Sequence, residues 1–556
     1  MSSSFRIVNG RVYDPLNDID GRVQDICVQD GKIVEDVPQD APHIDVDGLV
    51  VMPGGVDMHS HIAGGKVNLS RKLQPEDHRF DYHPRTPITR SGTGGTSPST
   101  FATGYRYSLL GYTTVMEAAI PPLAARHVLE ELNDTPILDK GYFMLLSDNL
   151  MLFKLLKEGR REEFIQAVAW WFNAGRAYAP KLVNPGCGQT WKHRNKQVVN
   201  LDDNIDHFGI SPRMVIEALV GAANDLGLPH PAHIHCNNLG IAGNYETTLD
   251  TMRTVSGQRV HITHIQFHSY RGKWGGKPLS AAVDISDYIN AHPEVTADVG
   301  QVMFGDATGM TADAPLAWML RNINKRKWVN CDVENESGCG VVPFIYDPDN
   351  YVHALQWGIG LELFLLADDP WRMVLSTDHP NGGSFLNYPR LIRLLMDRDF
   401  RNEEVRSVNQ KAMEKTLLLD DLEREYTLQE IAIITRAGPA KLLGLKEKGH
   451  LGPGADADIT VYVENENKEE MFATPRYVFK DGRLIIEDGD FINDHEGKII
   501  YVAPDYDPAI EKVLRPFFED YYTIEFDNYA VADQYLHRHQ VIPTIDKEGI
   551  HAYSKV

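Results

Sequence analysis

A chain of 556 residues is too long for one compact core and implies several domains, unless a barrel absorbs much of the length. With 42% hydrophobic and 24% charged residues the composition is that of an ordinary globular protein, and no run of about 18 apolar residues is present to span a membrane. Net charge is 55 − 78 = −23, which argues against nucleic acid or an anionic membrane surface as a partner.

The first 50 residues alternate in the manner of short strands, with hairpin signals at Asn9-Gly10 and Asp30-Gly31 and a third strand pair over His43–Met52. Residues 1–55 are therefore expected to form the N-terminal part of a composite β-sandwich. From 56 to 445, short apolar strands alternate with helical stretches. Strands are predicted at Gly111–Glu117, Tyr142–Leu146, Lys181–Val183, His233–His235, Val260–His264, Val295–Val299 and Met373–Thr377, and helices at Glu162–Ala174 and Pro212–Leu226. Repeated strand–helix alternation implies a parallel sheet, and over this length a (β/α)₈ barrel is the economical fold. Strand texture returns over 446–500, expected to complete the sandwich. The aromatic, Pro-rich extension 501–556 is expected to offer a surface to a neighbouring protein chain. The five cysteines, Cys27, Cys187, Cys236, Cys331 and Cys339, are odd in number and scattered. They suggest no disulfide framework and a reducing cytoplasm, and no signal peptide is evident at the N-terminus.

Three His-x-His pairs occur: His59/His61, His233/His235 and His537/His539. Alternate residues on a strand share a face, so two imidazoles can converge on one ion. The last pair lies in a polar segment with no strand pattern and reads as surface histidines. The first is distinguished by context: Val51-Met-Pro-Gly-Gly-Val-Asp-Met-His-Ser-His61 runs an apolar strand into a Pro-Gly-Gly turn and a second strand ending in the histidines. Barrel chemistry sits at the C-terminal ends of strands.

These residues match the first-strand motif of the amidohydrolase superfamily, P-G-x-[IV]-D-x-H-x-H. Gly449-His-Leu-Gly-Pro-Gly-Ala-Asp-Ala-Asp458 matches the family's closing motif. The resemblance implies a site of two zinc ions held by His59, His61, Lys181, His235, His264 and Asp378. Lys181 would be carboxylated to bridge them, and Asp378 would both bind metal and carry the proton. It leaves His233 as a neighbour competing with His235, His261 as structural and His379 outside the ligand set. Longer stretches, including Pro98–Tyr107, Gly111–Ala119, His235–Gly240 and Thr263–Tyr270, resemble the A-subunits of formylmethanofuran dehydrogenases and of the bacterial formyltransferase/hydrolase complexes. This narrower resemblance implies cleavage, or formation, of the formamide on a methanofuran-type carrier amine, within a multi-protein complex. Asn238 and His268 are the expected substrate contacts. Lys66, Arg71 or the Lys192–Lys196 stretch could meet an anionic carrier tail. No pterin motif or ferredoxin cysteine spacing is present, so no redox centre is expected in this chain. The rival readings are a cyclic amidohydrolase of dihydroorotase or hydantoinase type, which would share every metal ligand, and a non-catalytic barrel scaffold.

Overall fold

The computed structural model describes residues 4–186, 188, 190, 200–205, 207–311, 313–325, 329–330, 340–419 and 422–546. Cys187, Cys331, Cys339 and the Lys192–Lys196 stretch lie outside the described residues, and Cys27 and Cys236 are buried and free.

Among the described residues, eight parallel strands make the barrel: β1 Gly55–Ser60, β2 Tyr112–Ile120, β3 Asp139–Leu145, β4 Ala179–Val183, β5 His233–His235, β6 Val260–Ile262, β7 Val295–Asp298 and β8 Met373–Val374. Each hydrogen-bonds to the next in chain order. The ring closes through a parallel bridge from Ser60 to His379, where His61 N donates to His379 O at 2.7 Å. Strands β6 and β8 end earlier than the apolar pattern predicts. The chain turns at His264 (φ 34°) and Asp378 (φ 49°), a left-handed conformation that ends a strand and is strained for residues other than glycine. The predicted helices form as Arg161–Gly175 and Pro212–Asp225; the second starts cleanly because Ser211 Oγ caps Met214 N and Pro212 needs no donor.

Strands from both chain ends share one nine-stranded sheet, which forms a separate β-rich unit. Its seam is antiparallel pairing of Val50–Pro53 with Ile459–Tyr462, and its apolar core includes Ile26, Val28, Val51, Ile459 and Phe479. Asp30-Gly31 is a hairpin turn as read from sequence, with both φ angles positive. Asn9-Gly10 is not. It is an irregularity inside one long strand, Ser4–Asp14, and the chain reverses at Pro15–Asp18 instead. Gly10 is required by packing, since a Cβ there would lie 2.5 Å from Val51 Cγ2. The pair expected within His43–Met52 also forms differently: both of its strands, His43–Asp45 and Val50–Pro53, pair in parallel with Ser4–Asp14.

The C-terminal extension packs on the barrel. Strands Ile499–Val502 and His539–Ile542 continue the barrel sheet beside β3. His539 thus begins a strand that its polar sequence did not suggest, because tertiary pairing overrides local pattern. Phe526 stacks on Trp170 at 5.1 Å, and Tyr529 O–H donates to Pro122 O, whereas Tyr521 remains 65% exposed. Among the described residues no helix is long and apolar enough to cross a membrane.

Candidate active site

The ends of β1, β4, β5, β6 and β8 bring His59, His61, Lys181, His235, His264 and Asp378 to one face of the barrel, all buried. In-register pairing sets Lys181 beside His233 and Val183 beside His235. The period of two then places His233 one layer below His235 on the same face.

A chain of hydrogen bonds fixes the tautomer of His59. His230 Nδ1–H donates to Leu442 O at 2.8 Å, so its Nε2 accepts from His233 Nδ1–H at 3.0 Å. His233 Nε2 in turn accepts from His59 Nδ1–H at 2.7 Å. Burial holds all three imidazoles below their ordinary pKa, His59 at about 4, so each is neutral and carries a single proton. The remaining nitrogen of His59, Nε2, is therefore a lone pair, and it faces Asp378 Oδ1 at 2.9 Å. Asp378 Oδ1 accepts from Asn381 Nδ2–H at 2.9 Å, a hydrogen bond that favours the charged carboxylate. Two acceptors thus face each other in a dry site. That contact is repulsive unless a cation lies between them.

The other ligand candidates agree with a cation. His61 Nδ1–H donates to Glu117 Oε1 at 3.1 Å, which turns Nε2 toward Asp378 Oδ1 at 3.4 Å. His59, His264 and Asp378 each bring a ligand atom within 4.8 Å of the others. Among the described residues, Asp378 Oδ2, His264 Nδ1 and Lys181 Nζ are buried without a hydrogen-bond partner. Burial pushes the Lys181 ammonium down to about 7, against the pull of Asp298 and Asp378. Much of it is then the neutral amine, the form that can add carbon dioxide. The residues present fit a metal centre.

Several contributors were missed at the level of sequence. Glu117, within β2, accepts from His61 and from the backbone N–H of Ile62, Ala63 and Ala119. A carboxylate inside an otherwise uncharged, buried strand is the signal. Asp313 has no such signal: it belongs to the excursion after β7 and reaches His235 Nε2 at 3.3 Å while capping the helix Ala314–Asn324. Thr263 Oγ1 also reaches His59 Nδ1, at 2.5 Å, and Asn381 Nδ2 donates to Asp378 Oδ1 at 2.9 Å.

Of the expected substrate contacts, His268 is buried with neither nitrogen partnered among the described residues, its ring 5.2 Å from those of both His235 and His264. Asn238 Nδ2 donates to Thr247 Oγ1 at 3.2 Å, on the helix Tyr245–Thr254 that follows its loop. His261 pairs with Asp298 at 3.1 Å, and His537 with Glu496 on the surface. Arg71 is held by Pro98 O, Asn68 and Glu131. An apolar cavity of about 480 Å³ lies beside the site; Leu239, Phe267, Leu316 and Phe344 line it, half-exposed Trp274 stands at its rim, and it also touches Asn381, the residue bonded to Asp378.

The amidohydrolase family model matches residues 43–486. The chain belongs to the amidohydrolase family. Within that family it is 45% identical to Protein FwdA of Methanocaldococcus jannaschii, over 97% of this chain and 98% of that protein. It is 39% identical to the Fhc A-subunit of the formyltransferase/hydrolase complex of Methylorubrum extorquens, over 95% and 96%. The crystal structure of that complex with methylofuran contains a chain matching this fold with a TM-score of 0.92 at 37% identity, covering 98% of this chain and 100% of the other.

Proposed function

We propose that this amidohydrolase cleaves the formamide of an N-formylated amine on a methanofuran-type carrier, or forms it in reverse, as the amide-handling member of a one-carbon complex. The observation that carries the reading is the buried pair of acceptors, His59 Nε2 and Asp378 Oδ1, facing each other at 2.9 Å and calling for a cation. Full-length similarity to FwdA and to the Fhc A-subunit supports the substrate class.

His59, His61, His235, His264, Asp378 and a carboxylated Lys181 would hold two zinc ions. When bound, such ions polarise a carbonyl oxygen and acidify water. The chain's own part follows from its geometry. The apolar cavity receives the ring end of the carrier and keeps bulk water away from the formyl group. His268, unpartnered and beside His235 and His264, contacts the substrate. Asp378, anionic and oriented by Asn381, takes the proton from the attacking water and delivers it to the amine nitrogen as the C–N bond breaks. The balance is formamide plus water giving formate and the protonated amine. The C-terminal extension, with exposed Tyr521, is proposed to meet a neighbouring protein of the complex.

The test is an assay of the zinc- and bicarbonate-loaded protein on an N-formylated aminomethylfuran beside dihydroorotate and a hydantoin. Formate release with no ring opening is expected. Ring opening without formate release would select the cyclic amidohydrolase reading instead.

A further inference from the structure

Lys66 is the second residue of the helix Gly65–Leu73, which follows β1 directly. It is only 4% exposed, and its ammonium has no hydrogen-bond or ion-pair partner among the described residues. It stands five residues after His61, past the C-terminal end of β1, and the intervening segment is held by Glu117, which accepts from the backbone N–H of Ile62 and Ala63; this places it beside the active site. Glu117 does not neutralise it by contact, because the oxygens of Glu117 are engaged by His61 and by the backbone N–H groups of Ile62, Ala63 and Ala119. The next residue, Val67, packs with Met310 and Val341 and anchors the helix. A lysine that could reach water would do so along its flexible stem. An unpaired ammonium buried in protein costs several kcal/mol, a cost that an anionic ligand bound beside it would offset.

We propose that Lys66 is the formate-binding residue of this site: its ammonium pairs with the carboxylate that hydrolysis releases or that the reverse reaction takes up. The inference rests on the formamide reading above. The formamide is neutral and formate is an anion, so a fixed cation distinguishes one from the other. Lys66 holds formate beside the amine in the direction of formamide synthesis and makes formate an inhibitor in the direction of hydrolysis.

The test compares the full-length protein with Lys66→Met, an apolar side chain of similar length. Thermal unfolding is followed against sodium formate, with sodium chloride at equal ionic strength as control. The parent is expected to gain Tm with formate. The variant is expected to start from a higher Tm, because an unpaired buried charge is gone, and to show no response. Its inhibition constant for formate in hydrolysis should rise at least about tenfold, the scale of one lost charged hydrogen bond. Zinc content and Lys181 carboxylation, read by intact mass and ¹³C-bicarbonate labelling, should match the parent. An equal formate response in both proteins overturns the proposal. So does loss of carboxylation in the variant, which would make Lys66 the partner of the modified lysine instead. A parent that binds formate through Lys66 yet leaves the formyl amine intact would count against the hydrolytic reading alone.

Discussion

At the scale of single residues, the site depends on which nitrogen each imidazole presents. The chain from Leu442 O through His230 and His233 leaves His59 Nε2 unprotonated, an arrangement that a lone His-x-His motif cannot reveal. Replacing His233 with Leu removes the acceptor for His59 Nδ1–H and is expected to lower zinc affinity about 10–100-fold. His233→Gln, whose amide oxygen can accept the same proton, should recover part of that loss; chelator competition measures both. For Asp378→Asn the expected result is retained zinc with hydrolysis reduced about 10²–10⁴-fold, the usual value of a positioned proton carrier. Metal analysis and formate release, made on one sample, separate the two roles of Asp378.

At the scale of elements, left-handed backbone at His264 and Asp378 turns the ends of β6 and β8 into the site, and neighbouring glycines make room. A Cβ on Gly300 would lie 2.3 Å from the Cβ of His264, and Gly300 itself has φ 65°. Gly300→Ala should therefore displace His264, costing about 1–3 kcal/mol of stability and weakening zinc binding while the barrel survives. Calorimetry with a zinc titration tests both parts. Much of this level was legible beforehand. The barrel strands were visible because their buried residues form short apolar runs, and the Pro-Gly-Gly turn marked the join of sheet and barrel. What escaped notice arrives from a distance. Asp313 comes from an excursion after β7, and the strand His539–Ile542 exists because Ile499–Val502 pairs with it. The Asn9-Gly10 signal misled because Gly10 serves packing against Val51 rather than a turn.

At the scale of the whole molecule, a buried ion network joins the barrel to the β-rich sheet and the C-terminal extension. Asp139 at the start of β3 pairs with Lys448 and Lys480, while Asp456 pairs with Lys448, Lys498 and Lys32. The lysines already neutralise the clustered carboxylates of Asp139, Asp456 and Asp481, so their grouping is an internal joint. Burial would raise these carboxyls, but Lys448 and its neighbours outweigh it for Asp139 and for Asp456, which sits at about 2. Carboxyls depressed in the folded state stabilise it fully above their unfolded pKa of roughly 4, and that contribution fades as pH falls toward the folded values. Tm should thus drop steeply below about pH 4, and Asp139→Asn should flatten that dependence. The same variant leaves Lys448 and Lys480 short of an anion and is expected to cost about 3–5 kcal/mol near neutral pH; denaturant titration measures it.

Formamide cleavage by a bound metal pair is the function proposed for this amidohydrolase. Its most direct test is a zinc titration of chelator-treated protein in bicarbonate buffer, with formate release from the N-formylated furan amine as the signal. No formate is expected without zinc, and activity should saturate at two zinc ions per chain. Undiminished formate release after complete metal removal, or none at full zinc loading, would contradict it.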